Sequence, residues 1–530
     1  MKKLLVISFI FLYAIPCRSQ VAVQDSLALV ALYNSTNGAY WHQNNHWLQG
    51  GVPVSYWFGV TVNNNRVTRI DLDNNNLAGI IPAEIGNLDS LSFLDLAADS
   101  IFSLPNTIGN LVTLDTLGLF SAVIDTLPPG IGNLSDLKYF DFSYTQIRYL
   151  PEETEGLTKL EYLMGFHGKL RNIPENIGNL ALLKVLDLQV NEIANLPASI
   201  GNCTNLKKLY LNRNLIPEVP SEIGNLTNLQ DLILGGNMLD ELPDEIFTLT
   251  NLVFLNFAAN NLNEFPDEIG NLTKLENLQF FDNEFTSIPD EIGNLTYLKW
   301  IIGYGNRFDA LPLTLLNLEY LQVMAFMYNA LTFEDIEPFV SIPGFDYVLQ
   351  DSLGIKIDTT IALNSPFRLE CITGGQFNRY KWLKNGDTIA GADEYFLEWP
   401  NLSFADTGEY RCVVTNTLAT DLELFARPTR LHVIDVSGIN GSPPNDKEGF
   451  IIYPNPATDR VYIMIDENIH QPQLEIILYN SCGDILKKYL TGAENPVDLI
   501  IPDLSPGIYF IRMTDTSVRN IIHQKKLIVL

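Results

Sequence analysis

The chain has 530 residues, 46% of them hydrophobic, and a net charge of −29. That is too long for one core and apolar enough to fold rather than stay disordered. The negative field excludes a phosphate-backbone partner and disfavours docking on a bare anionic membrane. Lys2 and Lys3 open the chain, and an apolar run from Leu4 to Pro16 follows. The run is shorter than the roughly 20 residues a membrane helix needs. It predicts a signal peptide over residues 1–19, cut after Ser19. A lipid on Cys17 would want small residues before it, where Ile15 and Pro16 stand. No later stretch is long and apolar enough to span a bilayer. Export permits disulfides, and the cysteines left after cleavage are Cys203, Cys371, Cys412 and Cys482.

Residues 20–66 come next. Leu27, Leu29, Val30, Leu32 and Tyr33 suit a short amphipathic helix. Trp41, Trp47 and Trp57 offer large apolar surfaces that would close the open end of whatever follows, with a sugar platform as the functional alternative. His42 and His46 have the spacing of a helical metal pair, but Gln43-Asn44-Asn45 between them argues for a loop.

From Pro82 the chain repeats strictly. Proline recurs at Pro82, Pro105, Pro128, Pro151, Pro174, Pro197, Pro220, Pro243, Pro266, Pro289 and Pro312, every step 23 residues. Most are followed by I-G-N-L, as in Ile85-Gly86-Asn87-Leu88 and Ile223-Gly224-Asn225-Leu226. Before them runs L-x-x-L-x-L-x-x-N-x-L, as in Leu183, Leu186, Leu188, Asn191 and Ile193. The L-x-L core predicts a short strand with its leucines inward, stacked on its neighbours into one parallel sheet. Twelve strands are expected, beginning at Val67, Leu91, Leu114, Leu137, Leu160, Leu183, Leu206, Leu229, Leu252, Leu275, Leu298 and Leu321. The asparagines Asn191, Asn214, Asn237, Asn260, Asn283, Asn306 and Asn329 predict a buried ladder that bonds the backbone of adjacent turns. Each proline should fix an extended return segment on the convex side. The pattern resembles the leucine-rich-repeat family, and the resemblance implies an α/β-type, β-rich solenoid over residues 67–350 with caps at 20–66 and 332–350. The ladder position departs from the family at Asp99, Ala122, Thr145 and Gly168.

Near Asp351 the repeat stops, and residues 351–436 alternate like strands. Cys371, Trp382 and the run Asp406-Thr407-Gly408-Glu409-Tyr410-Arg411-Cys412 resemble the immunoglobulin superfamily. That resemblance implies a small all-β sandwich, a Cys371–Cys412 bridge, a tryptophan packed on it and a tyrosine corner. Residues 437–449 read as a flexible linker. A second small all-β sandwich over 450–530 opens with Tyr453-Pro454-Asn455-Pro456, passes through Leu504-Ser505-Pro506-Gly507-Ile508-Tyr509-Phe510, and ends with Lys525-Lys526-Leu527-Ile528-Val529. It resembles the type A C-terminal sorting domain of the type IX secretion system of Bacteroidota. This implies engagement of that machinery and passage across the outer membrane, to the surface or beyond.

No G-x-S-x-G elbow, H-E-x-x-H, phosphate loop or C-x-x-C is present, and the histidines are scattered. The sequence therefore predicts no enzyme and no cofactor. What can carry function is the outward side of the strands. One column holds Phe93, Tyr139, Tyr162, Phe254 and Trp300. The next holds Asp71, Asp95, Asp141, Asp187, Tyr210, Ile233 and Ile302, and a third holds Phe120, Phe166, Phe281, Tyr304 and Met327. Exposed aromatics on one face are what protein interfaces favour. Phe93, Tyr139, Tyr162, Phe166, Tyr210, Phe254, Phe281, Trp300 and Tyr304 are the expected ligand-binding residues, for a protein or glycan partner of a secreted or surface recognition protein. The alternative is a carbohydrate-targeting accessory working beside a separate hydrolase.

Overall fold

A computed structural model describes residues 21–435 without a break. Beyond them it describes Phe450–Tyr453, Ala457, Arg460–Ile465, Leu474–Tyr479, Ile485–Thr491, Val497–Ile500, Gly507–Asp515 and Ile521–Val529. The signal peptide, the linker 437–449, Pro454 to Pro456 and Cys482 lie outside the described residues.

The repeats build one sheet of 14 strands among the described residues. Its register follows the proline step: Leu94, Leu117, Phe140, Leu163, Leu186, Leu209, Leu232, Leu255, Leu278, Ile301 and Met324 stand side by side in parallel pairs. All of these central residues are fully buried. Two edge strands were not foreseen. Val60–Asn63 pairs antiparallel with Arg66–Asp71, and Phe345–Asp346 pairs with the last repeat strand. Both finish the sheet with short strands, which leave little unpaired edge.

The convex side departs from expectation. Each proline is extended, as Pro82 with φ −75° and ψ 156°, but the residues after it wind into a 3₁₀ turn such as Ala83–Asn87. The turn closes because the Ile85 N–H reaches back to the Pro82 carbonyl at 3.1 Å. Gly86 is required there, since a Cβ would lie 2.4 Å from the Thr107 carbonyl of the next turn.

The ladder forms as expected. The Asn214 side-chain amide donates to the carbonyls of Leu211 (2.9 Å) and of Leu188 in the preceding turn (3.0 Å), while its oxygen accepts the Ile193 N–H at 3.0 Å. Asn237, Asn260, Asn283 and Asn306 repeat this pattern. Where the consensus fails the turn adapts: the Thr145 hydroxyl donates to the Phe142 carbonyl at 2.7 Å.

A second regularity has no signature in the residues. Ala98, Ser121, Tyr144, His167, Val190, Arg213, Gly236, Ala259, Asp282, Gly305 and Tyr328 all have φ between 52° and 69°. They lie 23 apart, one before each ladder position, and only two are glycine. Left-handed backbone is unfavourable for residues with a Cβ, most of all for β-branched Val190. It is held because at most of these positions it aims the N–H at a carbonyl of the next turn: Ser121 to Ser143 at 2.8 Å, Val190 to Asn212 at 2.8 Å, Ala259 to Phe281 at 2.7 Å.

The core is close-packed by volume exchange. Phe257, Phe280, Phe285, Phe308 and Phe326 form a buried run of rings with centroids 5.7–6.5 Å apart. Gly303 occupies an inward leucine position between Phe280 and Phe326, where a Cβ would come within 2.9 Å of both rings.

The N-terminal cap is the helix Val23–Ser35 and a tryptophan cluster. Trp41, Trp47 and Trp57 are at most 7% exposed and in mutual contact at 4.8 and 4.9 Å, so they are core and not a sugar platform. Leu27 is 60% exposed, contrary to the amphipathic expectation, and Asp25 is buried in its stead. Arg66 accounts for that: its guanidinium holds the Asp25 carboxylate at 2.9 Å, and the Val67 N–H adds a third donor at 2.7 Å. His42 and His46 lie in a loop.

Beyond the repeats, residues 357–434 form a six-stranded sheet and a two-stranded one. Trp382 stands opposite Cys412 in the pairing of Asn378–Lys384 with Gly408–Asn416. The Tyr410 hydroxyl donates to the Asp406 carbonyl at 2.7 Å, the expected tyrosine corner. Cys371 and Cys412 are both buried, and their side chains meet in the core. The C-terminal strands form sheets of three and four around Ile452, Val461, Ile463, Ile476, Leu478 and Ile511, all buried.

Candidate binding face

Because each strand alternates, the residues flanking the buried central position face the concave side. Phe93, Tyr139, Tyr162, Tyr210, Phe254 and Trp300 flank it, while Phe166, Phe281 and Tyr304 follow their strands three positions after it; all nine are partly exposed, Tyr139 and Tyr162 the most. Tyr139 and Tyr162 sit opposite one another in adjacent strands, each 37% exposed, with centroids 6.1 Å apart. Phe281 and Tyr304 stack, and Trp300 and Phe254 stand half-buried nearby in the later turns. Two candidates are engaged by the chain itself. The Arg69 guanidinium lies 3.3 Å above the Phe93 ring and also pairs with Asp71. The Tyr210 hydroxyl donates to Asp231 at 2.8 Å, where Lys208 pairs at 2.9 Å.

The structure adds two residues that the sequence reading missed. Tyr144 and His167 occupy the left-handed positions of adjacent turns, and their rings stack 4.8 Å apart and 1° from parallel. Phe120 and Phe166 pack against Tyr144 at 5.2 and 5.4 Å, so four rings form one patch on the rim. The signal was available in the 23-residue step between Tyr144 and His167, but only to a reading that carried the columns past the third position.

The electrostatics divide along the sheet. The early turns present Asp71, Asp73, Asp95 and Asp141, with Asp187 buried behind them. Burial pushes the Asp95 and Asp187 carboxyls above the usual carboxylate range, opposed by N–H donors from Ala97 and Gln189. Asp73 is raised by burial and by Asp71 beside it. Burial likewise raises the Tyr139 and Tyr304 hydroxyls, each beside an aspartate. At the same strand position the later turns hold Tyr210, Ile233, Asn256, Gln279 and Ile302 instead.

Comparison with known proteins agrees with this architecture. Residues 199–300 match the family described as leucine-rich repeat region, and residues 66–88 match the single leucine-rich repeat. Residues 451–530 match the secretion system C-terminal sorting domain. A short stretch is 54% identical over 41 residues to leucine-rich repeat protein 1 of Arabidopsis thaliana, covering 8% of this chain and 19% of that protein. The match thus spans about a fifth of the relative's length. Among solved structures, a leucine-rich-repeat protein of Leptospira interrogans is 33% identical, with a TM-score of 0.48, over 54% of this chain and 71% of that one. An internalin of Listeria monocytogenes is 22% identical, with a TM-score of 0.48, over 54% of this chain and 80% of its own.

Proposed function

We propose that this chain, a leucine-rich-repeat protein carrying a type IX secretion sorting domain, is a non-catalytic recognition protein that grips a protein partner with its concave face. The sorting domain directs export to the cell surface or the extracellular space. The observation that carries the reading is the half-exposed aromatic set on the sheet, at positions where inward packing makes no demand. Rings such as Phe281 and Tyr304 offer flat, rigid area at little entropic cost, which is the profile of an interface anchor. The carboxylates of the early turns suit a partner that is cationic at that end, and they would steer its approach.

The test is affinity capture on the exported protein, against proteins and against a glycan panel, repeated with a Trp300→Ala/Tyr304→Ala double variant. A protein held by the wild type and released by the variant supports the reading. Capture of glycans alone moves the function to a carbohydrate-targeting accessory. A protein held equally by both chains removes the concave face from the account.

A further inference from the structure

We propose that Asp99 is a protonated rung of the asparagine ladder, and that its proton latches the N-terminal cap onto the repeats. Asp99 takes the ladder position of its turn and is 4% exposed. One carboxyl oxygen does what the asparagine oxygen does later in the chain: it accepts the Leu77 N–H at 2.9 Å, and the Asn75 N–H at 3.1 Å. The other oxygen is buried and has no partner among the described residues. In the rungs from Asn191 to Asn306 that second atom is the amide nitrogen, which donates to two carbonyls, one on its own turn and one on the turn before. By the register of the ladder, the corresponding carbonyls at Asp99 are those of Leu96 and Leu72. A carboxylate would set a lone pair against them. A carboxylic acid donates, as the amides do, and completes the rung.

The rung has a direct line to the cap. Asn75, whose N–H Asp99 holds, receives the Gln43 N–H on its own side-chain oxygen at 2.6 Å and donates back to the Gln43 carbonyl at 3.0 Å. Gln43, Asn75 and Asp99 thus join the cap loop to the second repeat. The charged groups around the rung favour the neutral acid. Asp73 on the preceding turn acts on Asp99 and lies beside Asp71 and Asp95, and Arg69 is the cation of that group. The following turn brings only Ala122 to its own rung. His42 of the cap loop faces the Asn74 carbonyl.

Burial, with Asp73 adding to it, pushes the Asp99 carboxyl to about 6 against the backbone donors. The folded value lies above the ordinary one, so the contribution to stability is complete in acid and is lost as pH rises through about 6. The latch is therefore shut in mildly acidic surroundings and loosened in alkaline ones.

Hydrogen exchange of the full chain tests this, read as protection of the Asn75 and Leu77 amides. In the wild type, protection should fall by up to ~10-fold per pH unit between the ordinary carboxyl value and about 6, so by about 100-fold in all, and level off at higher pH. Asp99→Asn, which carries a permanent donor, should hold protection constant and equal to or above that of the wild type in acid. Asp99→Ala should show lower protection with no pH dependence, whether or not the asparagine variant folds well. A wild type whose protection does not change with pH would overturn the proposal, as would a slope that survives in Asp99→Ala.

Discussion

Phe281 and Tyr304 lie ring on ring across adjacent turns, with centroids 4.5 Å apart and planes within 15°. Each covers part of the other, yet both remain half-exposed on the concave side. The stack is worth about 1 kcal/mol, so Tyr304→Ala should lower the melting temperature only slightly. Trp300→Ala should do no more. Together they should weaken partner binding by about 2 kcal/mol or more, read by titration calorimetry on the captured partner.

The second prediction concerns Asp25, fully buried and held by Arg66, which is a quarter exposed. Arg66→Ala leaves a buried carboxylate with only the Val67 N–H for company. Breaking such a pair should cost about 3 kcal/mol, and the loss should show first as melting of the helix Val23–Ser35. Circular dichroism during urea titration follows it. Replacing both partners, as in Asp25→Asn with Arg66→Ala, should recover part of the loss.

A ladder rung gives the third. Asn214→Ala strands two carbonyls and one N–H inside the coil. The cost should be about 3 kcal/mol in urea denaturation. Asn195→Ala, at an exposed site bonded only to Glu175 at 3.2 Å, should change stability by less than about 0.5 kcal/mol.

Cysteine chemistry gives the fourth. The Cys371 and Cys412 side chains already meet in the core, so exported protein should carry a bridge between them in non-reducing peptide maps. Reduction should destabilise the module by about 4 kcal/mol on the loop-entropy estimate. Cys203 should remain free and resist alkylation in the native state, because burial pushes its thiol up to about 12. A Cys203–Cys482 disulfide would contradict this.

Deleting residues 450–530 should leave the chain in the periplasm, because those residues carry the outer-membrane address. Fractionation and surface proteolysis report the outcome.

The repeat architecture was legible because it is local and periodic. Proline, Ile-Gly-Asn and the paired leucines each answer a demand of the adjoining turn, so the register of every repeat strand could be written from spacing alone. What could not be read depends on distant partners. Asp25 looks like a solvated helix residue until Arg66, 41 positions later, arrives beside it. The left-handed row has no shared side chain, since its conformation is imposed by a carbonyl one turn away. For the same reason Tyr144 and His167 escaped the aromatic columns. Arg69 on Phe93 and Asp231 on Tyr210 likewise show that an outward ring is not always a vacant one.

The left-handed row bears on how such a coil changes over generations. Any two of its positions share one backbone conformation, and most share the hydrogen bond to the next turn and the 23-residue distance to it. Unequal recombination between two such positions removes or inserts a whole number of turns and rejoins the ladder without a seam. At most of these positions the side chain points to solvent, as with Tyr144, Arg213 and Asp282. Recombination of this kind therefore resizes the concave surface and redraws its edge in one event, while the buried leucines inherit the same neighbours as before.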